Sequence, residues 1–106
     1  MKEPINEYIK MTATEAVARL RSREISPLDL VEASIQRIEA VDSKVNALPI
    51  HCFEQARSQA KSFNYMAHSD NPKSLCGLPI AVKDYNDLGG ALTTYGSPIF
   101  SKNVVK

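Results

Sequence analysis

A single short apolar run, Gly77-Leu78-Pro79-Ile80-Ala81-Val82-Lys83-Asp84, constrains the fold of this 106-residue chain more than any other feature. Leu78 to Lys83 reads as a buried strand, yet little else in the sequence could pair with it. One further piece, Leu92 to Tyr95, is Thr-rich and follows a Gly89-Gly90 turn, so it could be extended. The periodic segments upstream are patterned for helix. A two-stranded ribbon is marginal by itself, and three helices followed by one or two strands leave apolar faces in need of a partner. The pattern predicts the front end of a larger α/β protein.

The helix signals are local and specific. Thr12-Ala13-Thr14-Glu15 has the form of a capping box, and Ala13, Ala16, Val17 and Leu20 follow at helical spacing, predicting a helix from about Thr12 to about Arg23. Ser26 is a good N-cap, Pro27 suits the first helical position and Asp29 stands at the third. Val31, Ser34, Ile35, Ile38 and Val41 then make an apolar stripe. The link at Ile25-Ser26 is short enough to predict a helical hairpin. Asn46 to Ile50 reads as extended, with Pro49 arguing against helix. A third helix is expected from about Cys52 to about Met66, with Phe53, Ala56, Ala60 and Phe63 on one face, followed by a polar loop over Ser69 to Ser74. Residues Met1 to Met11 lack periodicity and read as an arm.

Composition narrows the function classes. The length allows one domain at most, and 43% hydrophobic residues suit a globular chain with a small core. Thirteen Lys+Arg against twelve Asp+Glu give a net charge of +1, which offers no basic field for a phosphate backbone and argues against direct nucleic-acid binding. The apolar runs are far shorter than the roughly 20 residues a bilayer requires, so no membrane partner is expected. Two cysteines, Cys52 and Cys76, cannot form a disulfide framework. With no secretory pattern at the start, reduced thiols and a cytoplasmic location are the expectation.

Lys83 is the candidate catalytic residue. An ammonium held where a buried strand meets a cleft is costly to desolvate, and a lysine so placed can accept a proton near neutral pH. On a strand, Pro79, Ala81 and Lys83 would share one face and Asp84 the other, keeping a carboxylate away from the amine. The plain alternative is a strand-end lysine reaching water. Thr93-Thr94-Tyr95-Gly96-Ser97 could offer hydroxyls to a ligand but equally reads as a polar turn. Asp84 and Asp87 are better read as loop residues than as an acid/base pair. His51, Cys52, His68 and Cys76 do not have the spacing of a zinc site, and the cysteines read as small buried hydrophobes. No Gly-rich phosphate loop is present in the sequence, no cofactor is expected, and Ser43 and Ser58 have no base nearby in sequence.

In the order of its segments, the chain resembles the amidase-signature family. The matching segments are Thr12-Ala13-Thr14-Glu15, Ile25-Ser26-Pro27-Leu28-Asp29-Leu30-Val31-Glu32-Ala33, Val45-Asn46-Ala47, Ala56 with Ala60, the Gly77–Asp84 run, and Thr93-Thr94-Tyr95-Gly96-Ser97. Only the Gly77–Asp84 run is diagnostic alone; six in order cover nearly everything from Thr12 onward. The resemblance implies a mixed sheet wrapped by helices, several times longer than this chain, with residues 1–11 an arm and 12–106 the N-terminal part of the domain. It implies that Lys83 is the base of a Ser-Ser-Lys triad hydrolysing carbon–nitrogen amide bonds. It also places the two serines and the glycine-rich oxyanion segment beyond Lys106; Ser97 matches only a supporting position.

Two roles follow from the resemblance, and a third reading is of a different class. The wording Asn46-Ala47-Leu48-Pro49 and Cys52-Phe53-Glu54 looks more like stand-alone amidases acting on small-molecule amides. The alternative in the family is the A subunit of the tRNA-dependent amidotransferase, a glutaminase. The non-enzymatic reading is a truncated remnant whose exposed helix stripes would drive self-association. In each case the 106 residues alone are expected to be inactive, to require the remainder of the amidase fold, and to have a homodimer open to them.

Overall fold

The computed structural model describes residues 3–84 and 86–106; Met1 and Lys2, the start of the expected arm, lie outside them, as does Tyr85. Five α-helices follow in order: α1 (Glu3–Lys10), α2 (Ala13–Arg21), α3 (Pro27–Val45), α4 (Phe53–Lys61) and α5 (Tyr65–His68), with a 3-10 turn at Pro98–Phe100. Among the described residues there is no strand. One isolated antiparallel bridge joins Leu92 to Val104, so these residues are helical rather than α/β.

The strand expected at Leu78–Lys83 is therefore a correction, and its cause is pairing. Strand structure needs a neighbour to satisfy its backbone, and among the described residues nothing forms a backbone–backbone hydrogen bond with 79–82. The expected arm is a second correction: residues 3–10 form α1, which packs on α3, with Tyr8 against the core. The third concerns the hairpin. The extensive helix contacts are α1 on α3 and α3 on α4, so α2 meets α3 only at the shared core cluster of Ala16, Leu20 and Leu30 and does not pack along it; Arg23, in the link, is left-handed (φ 64°). The expected Cys52–Met66 helix is interrupted after Lys61, and Asn64 caps a separate α5 by accepting from the Ala67 N–H.

Helix starts obey the local chemistry. Thr12 Oγ1 accepts from the Glu15 N–H at 3.1 Å, but the Glu15 side chain pairs with Arg19 at 2.9 Å. At α3 the box is complete: Ser26 Oγ accepts from the Asp29 N–H at 3.1 Å, and Asp29 accepts from the Ser26 N–H at 2.9 Å. Two orphan donors are thus satisfied reciprocally. α3 runs to Val45 and ends on Asn46 in the left-handed region (φ 53°). Asp42 then accepts from the Ala47 and Leu48 N–H groups, turning the chain towards α4. Arg57 of α4 forks onto Glu32 of α3 at 2.7 and 3.1 Å.

Ala16, Leu20, Ile25, Leu30 and Cys76 form one core cluster, against which Tyr8, Met11, Phe63 and Leu78 pack; Val31, Ala33 and Ile35 of α3 and Ala91 are buried as well. Cys76 behaves as the sequence suggests, being buried; Cys52 is only half-buried. At the end of α2 the Arg21 guanidinium donates to the carbonyls of Ser69, Asn71 and Ser74 (3.4, 3.1 and 3.0 Å), and Tyr65 Oη donates to the Arg21 carbonyl. Arg23 lies over the Tyr65 ring at 3.6 Å. No residue of α4 is fully buried. Phe53, Ala56 and Ala60 border open grooves, and Phe63 lies between a groove and the core cluster. The radius of gyration, 15.0 Å, exceeds the about 13 Å of a compact domain of this length.

Candidate active site

Cys76 and Gly77 both take left-handed backbone conformations (φ 55° and 91°). They bend the chain from the core, where Cys76 is held, onto the start of α3. A Cβ on Gly77 would stand 2.5 Å from Pro27 Cγ and 2.8 Å from Pro27 Cβ, so this approach admits only glycine. From there residues 79–82 cross the face shared by α3 and α4. They wall an apolar groove of about 340 Å³ with Val31, Ile35, Ile38 and Phe53. Lys83 follows at the end of that crossing.

Lys83 is exposed, at the edge of a second cleft of about 270 Å³ whose walls include Leu48, Pro49, Asp84, Asn86 and Thr93. Its carbonyl accepts from the Asn86 N–H at 3.0 Å. The dry setting that a lysine base requires is not built by the described residues alone, and among them no serine lines this cleft. Those facts bear directly on what the chain can do unaided.

The neighbouring acids have a clear structural use. Asp84 accepts from the Thr94 N–H at 2.8 Å and from the Thr94 hydroxyl, and its carbonyl accepts from the Tyr95 N–H at 2.9 Å. The Tyr95 hydroxyl donates to Asp87. Thr93 is buried, bonded to Asn103 through its N–H (2.8 Å) and its carbonyl (3.0 Å). The turn after Lys83 is thus fastened to residues 93–97 at two places. Asp84 and Asp87 are acceptors in this clamp, and the Thr93–Ser97 stretch supplies its donors.

The Thr94 hydroxyl, with the Thr94 and neighbouring amides behind it, holds the Asp84 carboxyl below the usual carboxylate range. The folded value is the lower one, so the clamp contributes stability above the unfolded value of about 3.9 and loses it as pH falls through the folded value. Acid titration followed by NMR should move the Thr94 and Tyr95 amide signals together below about pH 4, and Asp84→Asn should abolish that transition.

The four residues weighed as metal ligands are not brought together. His51 stacks on Phe53 and stands 3.6 Å from Asp42; His68 stacks on Phe63 and meets Ser74 Oγ at 2.9 Å. Cys76 is in the core. Among the described residues no group of three or more His, Cys, Asp or Glu could hold a metal ion, and no helix is long and apolar enough to cross a membrane. The Asp84–Thr94 pairing escaped the sequence reading. Its signal was an acid ten residues before paired threonines, across the Gly89-Gly90 turn.

The sequence that carries this segment matches a known family. The family model described as Amidase matches residues 29–106. The chain belongs to the amidase family. It is 36% identical over 93 residues to a Psychrobacter cryohalolentis protein named as the A subunit of glutamyl-tRNA(Gln) amidotransferase, covering 88% of this chain and 19% of that protein. With the protein of the same name from Anaeromyxobacter dehalogenans the identity is 39% over 100 residues, covering 93% and 20%. The AmiB2 protein of Mycobacterium tuberculosis, which carries an amidase name, is 40% identical over 68 residues, covering 64% and 15%. The chain thus spans about a fifth of the length of the first relatives. No solved structure matches.

Proposed function

We propose that this chain is the lysine-bearing, N-terminal portion of an amidase that hydrolyses carbon–nitrogen amide bonds by a Ser-Ser-Lys mechanism, with Lys83 as the base. The observation that carries the reading is the diagnostic run ending on Lys83, within a family match that extends across residues 29–106. In the complete domain, residues 79–83 form one strand of a mixed sheet wrapped by helices. Covering the cleft beside Lys83 would supply the dry surroundings it lacks here.

The chemistry then runs as a proton relay. The neutral Lys83 amine takes a proton from a bridging serine, which takes one from the nucleophilic serine as that oxygen bonds to the amide carbonyl. The proton passes to the leaving amine as the carbon–nitrogen bond breaks, and water releases the acyl group by the same route. The remainder of the domain supplies both serines and the oxyanion donors, which account for much of the rate. Since no described serine lines the cleft at Lys83, the 106-residue chain should show no turnover of simple aryl amides. Turnover by the purified chain that persists in Lys83→Ala would defeat the assignment.

A second reading within the family has its own support. The relatives aligned over 88–93% of this chain carry the amidotransferase name. The complete protein would then act as a glutaminase, releasing ammonia for a partner subunit. Glutamine hydrolysis set against hydrolysis of small aryl amides by the complete protein separates the two.

A further inference from the structure

We infer that Asp84 and Thr94 are positioning residues for the Lys83 amine: their pairing fixes the turn that carries Lys83, and amide hydrolysis slows when it is broken. The inference rests on the amidase reading above, with Lys83 as its base.

The clamp is built wholly within residues 83–105, so its parts do not wait on the rest of the domain. Asp84 is held at three points. One carboxylate oxygen accepts from the Thr94 N–H at 2.8 Å, the other from the Thr94 hydroxyl, and the main-chain carbonyl from the Tyr95 N–H at 2.9 Å. Thr94 Oγ1 accepts in turn from the Gly96 N–H at 3.3 Å, leaving its own proton for Asp84. Behind Thr94 stands a fixed support. Thr93 is buried, with its N–H and its carbonyl both bonded to Asn103. Beside it the Gly90 N–H donates to the Val105 carbonyl at 2.6 Å, and the Val105 N–H to the Ala91 carbonyl at 3.2 Å. The Lys83 carbonyl accepts from the Asn86 N–H at 3.0 Å, so the peptide joining Lys83 to Asp84 is held from both sides.

A lysine base needs such a hold. Its amine rides on a flexible four-carbon stem, yet it must stay within about 3 Å of the proton it takes. A misplacement of about 1 Å can lower a rate about 10²-fold. Sheet neighbours hold the interior of a strand, but Lys83 is the last residue of its run and is followed by a turn. Position 84 therefore sets where the stem begins. Aspartate suits the task, because its two oxygens match the adjacent N–H and O–H of one threonine. Asparagine would set an N–H₂ against the hydroxyl. Since the Thr94 donors hold the Asp84 carboxyl below the usual carboxylate range, both oxygens remain acceptors at neutral pH.

Thr94→Val in the complete protein removes the hydroxyl and keeps the shape. With an aryl amide or glutamine as substrate, kcat should fall about 10- to 10²-fold with KM little changed, and Thr94→Ser should keep the parental rate. Asp84→Asn breaks the same pair from the other side and should give a similar loss, so the result does not hang on one variant folding. Active-site titration counts the folded enzyme. The decisive reading is coupling: in a Lys83→Ala background, Thr94→Val should cause no further loss, because nothing remains to be positioned. A clamp that only stabilises the fold would lower both backgrounds alike, and that result would overturn the inference. So would parental kcat in both Thr94→Val and Asp84→Asn while Lys83→Ala is impaired. Full activity of Lys83→Ala, or a parent that hydrolyses neither substrate, would instead remove the amidase reading and this inference with it.

Discussion

Alanine in place of Lys83, in a complete amidase domain carrying residues 12–106, is expected to lower kcat for amide hydrolysis by about 10²- to 10⁴-fold while KM changes little. A base acts on the proton in flight and contributes nothing to holding the ground-state amide, so its loss falls on the chemical step. Lys83→Arg should do no better than alanine. A guanidinium remains protonated throughout the working range and cannot accept the serine proton. Steady-state kinetics on one aryl amide, with an active-site titration to count folded enzyme, separates this result from partial unfolding. A Lys83→Ala domain that keeps the parental kcat would remove Lys83 from the mechanism.

Gly77→Ala should have the largest effect on stability, about 2–4 kcal/mol. Two penalties coincide at that position. The added methyl would overlap Pro27 at 2.5 and 2.8 Å, and the φ of 91° is one that alanine rarely adopts. Pro27 cannot swing aside, because its ring is part of the first turn of α3 and Ser26 and Asp29 fix that turn. Urea unfolding of the wild type and Gly77→Ala, followed by far-UV circular dichroism, should show an earlier midpoint with little change in slope. An unchanged midpoint would mean that the segment does not approach α3 as described.

The parts of this fold written in neighbouring residues were readable from the sequence. Ser26-Pro27-Asp29 announced the start of α3, and Thr12 the start of α2, because a cap is settled within four residues. The residues marking the candidate site were legible for a similar reason, since one contiguous run ends on Lys83. What could not be read depends on distant groups. Ile80 and Val82 have the composition of a strand, but strand structure requires a pairing neighbour and the described residues provide none. The pairing of Asp84 with Thr94 spans ten residues and a turn. α1 was missed for another reason: Ile5, Tyr8 and Ile9 do recur at helical spacing, but eight residues give too few repeats to stand out against polar neighbours. The expected hairpin failed because α1 and α4, not α2, take the long contacts with α3, and such a choice of partner is not written in the link residues.

The grip of Arg21 on Ser69, Asn71 and Ser74 has a consequence for variation in this family. Every acceptor is a main-chain oxygen, so the guanidinium is indifferent to which side chains the 69–74 bend carries and sensitive only to where the bend places its carbonyls. Homologous chains that keep an arginine here should hold the length of that bend constant, whereas Asn71 and Ser74, whose side chains accept from the Lys73 and Cys76 N–H groups, shape the bend itself. One inserted residue would lift the oxygens out of reach together.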